Sequence, residues 1–161
     1  MIIITLYCFL IEISMKKKSI ALLITVSVLN FTVYAKHYDV KLLTTDDKGQ
    51  NMVMSPGFLK ISPGDTVTFI PADPSHNVES LSIPKKAKSF SSKMGKVFSH
   101  TFDENGVYLY KCTPHFALGM LGVIQVGAAE NAAIVTKDWS EISSGVVMNK
   151  NRVSTYLSQV K

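Results

Sequence analysis

Cys112, His115 and Met120 place a thiol, an imidazole and a thioether within nine residues, at the spacing C-x2-H-x4-M. Soft sulfur combined with imidazole is the donor set that holds a copper ion through a change of oxidation state without rearrangement. A trigonal site of two imidazoles and one thiolate needs a second histidine, and His76 is the natural candidate. It sits in Pro74-Ser75-His76-Asn77-Val78, where an irregular segment enters a strand. His37 and His100 compete with it. His37 lies near the start of the expected mature chain and His100 inside an alternating strand, where a histidine serves the sheet rather than a metal. Met120 has competitors in Met52, Met54, Met94 and Met148, since methionine also fills core gaps. Position favours Met120, because a loop closed by Cys112 and carrying His115 can return it over the metal. Zinc is the rival ion, but it favours several thiolates or three imidazoles over a thioether. A cysteine-protease dyad would need a distinct base and an oxyanion hole, and Pro114 between Cys112 and His115 makes so short a dyad awkward.

Positioning such donors takes a folded domain, and 161 residues suffice for one with a hydrophobic core. Residues 1–35 read as a signal peptide rather than part of that domain. Lys16-Lys17-Lys18 form a basic region, Ile20 to Leu29 an apolar one, and Val33-Tyr34-Ala35 a small-residue cleavage site. Met15 stands directly before the lysines, so residues 1–14 read as an upstream extension and Met15 as an alternative start. The apolar run is short for a spanning helix, which sets an uncleaved anchor aside. With residues 1–35 removed near Ala35, Cys8 goes too, leaving Cys112 as the one cysteine of residues 36–161. An unpaired thiol in an exported chain is unusual, because such compartments oxidise or pair thiols. Bound to a metal, it is protected.

Residues 36–161 carry 14 Lys+Arg against 11 Asp+Glu, a net charge of +3. That mild excess suits an acidic protein partner. It does not suit nucleic acid, since Arg152 is the only arginine and no basic cluster forms.

Residues 36–127 read as a β-sandwich. Short runs of Val, Ile, Phe, Thr and Tyr are separated by turn residues at intervals of about 8 to 15. Tyr38, Val40 and Leu42 alternate with polar neighbours, Asp46-Asp47-Lys48-Gly49 turns, and Leu59 and Ile61 alternate against Lys60 and Ser62. Ser62-Pro63-Gly64-Asp65 makes the next turn. Thr66 to Ile70 is the clearest strand, with Val67 and Phe69 on one face and the threonines on the other. Ser82 to Gly95, with Pro84, lysines and serines, reads as a surface excursion. Strand character returns over Val97–Phe102 and, after a turn at Asp103-Glu104-Asn105-Gly106, over Val107–Cys112. Residues 128–161 change character. Ala128 to Ile142 is helix-compatible, with Val135, Trp139 and Ile142 on one face. Gly145 breaks it, and Asn149 is placed to cap a second helix whose face is Val153, Tyr156, Leu157 and Val160. The expectation is one all-β Greek-key sandwich with two short C-terminal α-helices packed on it.

The combination of Ser62-Pro63-Gly64-Asp65-Thr66-Val67-Thr68-Phe69-Ile70-Pro71, His76-Asn77-Val78-Glu79, Cys112-Thr113-Pro114-His115 through Gly119-Met120, and Gly122 to Gly127 resembles the cupredoxins. Within them it is similar to the pseudoazurins, which carry the same two-helix tail. The resemblance implies an eight-stranded sandwich holding one type 1 copper through His76, Cys112, His115 and Met120, cycling between Cu(II) and Cu(I). It implies that the Asn77 backbone N–H donates to the Cys112 sulfur, that Pro114 shapes the loop beside His115, and that Met52 packs on that ring. Pro74 and Ser75 depart from the lysine and glycine common there.

The function implied is one-electron transport in the periplasm, not enzymatic catalysis. The partners implied are transient redox proteins: copper nitrite reductase or other denitrification enzymes, with a c-type cytochrome upstream. Lys48, Lys85, Lys86, Lys88 and Lys111 are candidates to steer them. The chain is expected to be monomeric, with no nucleic acid bound and no membrane association after signal cleavage. A periplasmic copper-binding or delivery protein is the alternative.

Overall fold

The computed structural model describes residues 34–161. The expected leader therefore lies outside the described residues, apart from Tyr34 and Ala35. Eight strands follow in chain order: β1 (His37–Thr45), β2 (Asn51–Ser55), β3 (Phe58–Ile61), β4 (Asp65–Pro71), β5 (Glu79–Ser82), β6 (Phe98–Phe102), β7 (Gly106–Lys111) and β8 (Leu121–Val126). They form two four-stranded sheets, ordered β2-β1-β4-β6 and β3-β8-β7-β5. Pairing is antiparallel except for β1 with β4 and β3 with β8. Two short helices, α1 (Ala132–Ile142) and α2 (Arg152–Leu157), close the chain. This is the expected sandwich with its helical tail.

Alternation explains the first sheet. In β4, Val67 and Phe69 are buried while Thr66 and Thr68 line the outer face, where Thr66 and Thr68 hydroxyls pair with Thr101 and Ser99 across to β6. The central strands of the second sheet behave differently. β7 reads Gly-Val-Tyr-Leu-Tyr and β8 Leu-Gly-Val-Ile-Gln-Val, near-continuous apolar runs, as strands covered on both faces require. Their inward residues, Tyr108, Tyr110, Ile124 and Val126, meet Val40, Leu42, Met54, Val67, Phe69 and Phe102 of the other sheet. Their outward residues, Val107, Leu109, Leu121 and Val123, are covered by Val135 and Trp139 of α1, Val146, and Val153 of α2.

Three local expectations change. The segment 82–95 is more than a surface excursion: Phe90 is buried and packs in the sandwich core, against Phe69 at 5.9 Å and Phe102 at 5.7 Å between ring centroids. α1 begins at Ala132 rather than Ala128. The reason is Asn131, whose side chain accepts from Val107 N–H at 2.7 Å and donates to Val107 C=O at 3.0 Å, acting as a stub of extra strand beside β7. Asn149 does not cap α2. It adopts φ 52 and sends its side-chain amide to the Leu118 carbonyl at 2.9 Å.

Candidate metal centre

Both ligand loops lie at one end of the sandwich. His76 lies in the irregular stretch between β4 and β5 and is fully buried. An Asx turn sets up its approach: Asp73 Oδ1 accepts the Ser75 N–H at 2.8 Å and the Ser75 hydroxyl. Asp73 Oδ2 accepts the Thr44 hydroxyl at 2.7 Å and lies 3.1 Å from His76 Nε2. Thr44 Oγ1 is itself 3.0 Å from the same nitrogen. With Nε2 engaged as the N–H donor, Nδ1 keeps its lone pair and points the other way. A carboxylate on the far nitrogen of a metal-bound imidazole is the usual device for fixing ring and tautomer. The hydrogen bonds from Ser75 and Thr44 hold the Asp73 carboxyl well below the usual carboxylate range. Burial pushes the His76 imidazole down, against the pull of Asp73, which favours the neutral ring that a metal ligand requires.

Cys112 follows β7 and is fully buried. Its N–H donates to the Met120 carbonyl at 2.9 Å, which closes the loop. Burial pushes the Cys112 thiol up, while the backbone N–H groups of Asn77 and His115 face the sulfur and favour the thiolate. The Asn77 contact is the one the resemblance implied. His115 precedes the single 3₁₀ turn of the loop, Phe116–Leu118, and its carbonyl accepts the N–H groups of Leu118 and Met120 at 3.1 and 3.2 Å.

Three donor atoms converge. His76 Nδ1 and His115 Nδ1 are 3.2 Å apart, and Cys112 Sγ lies 3.9 and 3.5 Å from them. A first-row ion at about 2.0–2.3 Å from imidazole nitrogen and thiolate sulfur, with trigonal to tetrahedral angles, requires donors about 3–4 Å apart. The triangle fits. Met120 is fully buried in the same cluster as Cys112 and starts the return into β8. The competing histidines lie elsewhere: His37 Nε2 bonds Thr68 on the outer face at 2.6 Å, and His100 packs between Phe90 and Phe102, at 4.7 and 4.8 Å between ring centroids.

A side-chain tie joins the two loops. Asn77 Oδ1 accepts the Thr113 N–H at 2.8 Å, Asn77 Nδ2 donates to Thr113 Oγ1 at 3.0 Å, and that hydroxyl donates to Glu79 at 2.6 Å. Removing it in Asn77→Ala should cost about 1–3 kcal/mol, since the Thr113 N–H loses its acceptor and the Thr113 hydroxyl loses the donor that Asn77 supplied. Chemical denaturation of the metal-free protein measures this, and a loss under about 0.5 kcal/mol, the scale of an ordinary surface change, would contradict it.

Residues 40–127 match the model of the copper binding proteins of the plastocyanin/azurin family, and the chain belongs to that family. Within it, its relatives include pseudoazurins. It is 48% identical over 98 residues to a putative pseudoazurin of Rhizobium leguminosarum bv. viciae, covering 60% of this chain and 64% of that protein. It is 42% identical over 98 residues to the pseudoazurin of Paracoccus pantotrophus, covering 60% of this chain and 67% of that one. The matched stretch thus spans about two thirds of these relatives' lengths. Among solved structures, native pseudoazurin from Hyphomicrobium denitrificans superimposes with a TM-score of 0.69 at 31% identity, covering 78% of this chain and 98% of that one. Pseudoazurin from Methylobacterium extorquens gives 0.63 at 29% identity, covering 78% and 99%.

Two contributors to the site escape sequence reading: Asp73 and Thr44. The Asp-x-Ser turn three residues before His76 is a local signal for Asp73. Nothing local marks Thr44, 32 residues from His76.

Proposed function

We propose that this protein is a periplasmic one-electron carrier that holds a single type 1 copper through His76 Nδ1, Cys112 Sγ and His115 Nδ1, with the Met120 thioether as fourth ligand. The observation that carries the proposal is the closed triangle of three donors, at 3.2, 3.5 and 3.9 Å. Copper, when bound, supplies the Cu(II)/Cu(I) couple. The chain supplies a fixed frame for both states. Asp73 and Thr44 hold the His76 ring, the N–H groups of Asn77 and His115 stabilise charge on sulfur, and burial keeps water from the thiolate.

His115 is the donor nearest solvent. Exposed Pro114 and Ala117 and half-buried Phe116 and Leu118 flank it, with Lys111 Nζ 5.6 Å above the Phe116 ring. A small apolar face of this kind suits brief redox contacts, which bury little surface. We assign it to transient partners such as a copper nitrite reductase and a c-type cytochrome, met by a monomer. The alternative role, copper delivery, calls for donors that open and exchange. Three fully buried ligands, His76, Cys112 and Met120, hydrogen-bonded from several elements, favour the carrier.

Adding Cu(II) to the purified protein and to Cys112→Ser tests the assignment. An intense visible band in the wild type, absent from the variant and bleached by reductant, is expected. A pale spectrum that is the same in both proteins would overturn it.

A further inference from the structure

The C-terminal tail reaches into the ligand loop at three consecutive carbonyls, those of Ala117, Leu118 and Gly119. Val147 and Met148 donate their N–H groups to Ala117 O at 2.9 and 3.2 Å, and Asn149 Nδ2 donates to Leu118 O at 2.9 Å. Arg152 Nη1 donates to Gly119 O at 2.7 Å. Carbonyls at the end of a helical turn have no partner inside the turn, and the tail supplies donors to three consecutive ones, Gly119 O also accepting the Leu121 N–H at 3.1 Å. The fit is close. A Cβ on Gly119, at φ +76, would stand 2.6 Å from Met148 O and 2.9 Å from Asn149 Cβ.

Arg152 goes further than the rest of the tail. The same guanidinium donates to Met52 O at 2.5 Å and, through Nη2, to Asn51 O at 3.1 Å. Met52 is one of only two non-glycine described residues at positive φ, 53°, a conformation that needs outside support. One planar fork therefore bolts the start of β2 to the carbonyl that immediately precedes Met120, a geometry a lysine point charge reproduces only in part.

The consequence falls on Met120. Its backbone is pinned at three places: the preceding peptide oxygen by Arg152 at 2.7 Å and by the Leu121 N–H at 3.1 Å, its own N–H by His115 O at 3.2 Å, and its own carbonyl by Cys112 N–H at 2.9 Å. Two of those anchors come from residues that hold the metal. The third joins Leu121 of β8 to Arg152, whose side chain comes from a helix outside the sandwich.

We infer that Arg152 is a positioning residue for the metal centre, setting through the Gly119–Met120 peptide how closely the Met120 sulfur engages copper. This rests on Met120 being the fourth ligand. It makes the tail part of the site's tuning as well as a cover for the sheet.

The test compares copper-loaded wild type, Arg152→Gln, Arg152→Lys, Met120→Leu and Arg152→Gln/Met120→Leu. Arg152→Gln should lower copper affinity about 10-fold, the low end for loss of an outer partner of a metal ligand. It should also change the intensity ratio of the two visible charge-transfer bands and shift the reduction potential, and Arg152→Lys should restore part of each. In the Met120→Leu background the Arg152→Gln changes in ratio and potential should disappear. A lowered melting temperature with unchanged spectrum and potential would overturn the inference, as would changes that persist undiminished without Met120. Failure of the copper assignment itself looks different: the wild type would show no intense band at all.

Discussion

A chain cut after Gly127 will show no cooperative thermal transition by far-UV circular dichroism, while the full-length protein melts as a unit. The cut uncovers the outward side chains of β7 and β8. Val107, Leu109, Leu121 and Val123 are all at or below 1% exposure, and burying an aliphatic side chain contributes about 1.5–3 kcal/mol. Two buried amide arrangements are lost with them. Asn131 no longer completes Val107, and Gln125, fully buried on β8, loses both partners on Lys161: the carbonyl its Nε2 donates to at 2.5 Å and the N–H its Oε1 accepts at 3.1 Å. Orphaned buried polar groups cost about 1–3 kcal/mol each. Together these losses rival the whole stability of a domain, about 5–15 kcal/mol. A truncated chain that melts cooperatively within a few degrees of the parent would show that the helices are dispensable to the sandwich.

Phe69→Ala should be the most damaging single substitution in the core, at about 3–5 kcal/mol. Phe69 is 1% exposed and lies 5.3 Å from the Tyr110 ring on the opposite sheet, edge-on, and 5.9 and 6.4 Å from Phe90 and Phe98. It thus joins both sheets and the segment connecting them, and each well-formed aromatic pair adds about 0.5–1.5 kcal/mol beyond area. The melting temperature should fall by on the order of 10 °C or more. Neither His76 nor His115 is among its aromatic neighbours, so a copper-loaded variant that still folds should keep the wild-type visible spectrum. A melting shift of only one or two degrees, or a changed spectrum, would contradict this division between core and site.

What could be read from the sequence was what is local. Alternation exposes β4, and the turn residues around it are fixed by backbone needs that leave a signature in residue type. Cys112, His115 and Met120 share one loop, so their spacing is itself the signal. His76 follows from the demand for a second imidazole. β2 was not legible because Met52-Val53-Met54 has no polar alternation, and Phe90 was hidden because one buried ring anchors an otherwise polar segment. Asn149 has the chemistry of a helix cap but spends its amide on Leu118, a choice decided by the approach of the ligand loop. Thr44, 29 residues from Asp73, and Arg152, 100 residues from Met52, are brought to the site by the pairing of β1 with β4 and the packing of α2 on β8. Such partnerships leave no mark on spacing.

The measurement that bears most directly on electron carriage is a reductive titration of the copper-loaded protein, followed by reoxidation, with bound metal counted by desalting and elemental analysis at each stage. The account predicts that one electron per chain bleaches the colour completely, that reoxidation restores it, and that one copper stays bound throughout. Copper released on reduction, or colour that fails to return, would contradict it and mark the site as one that hands over metal.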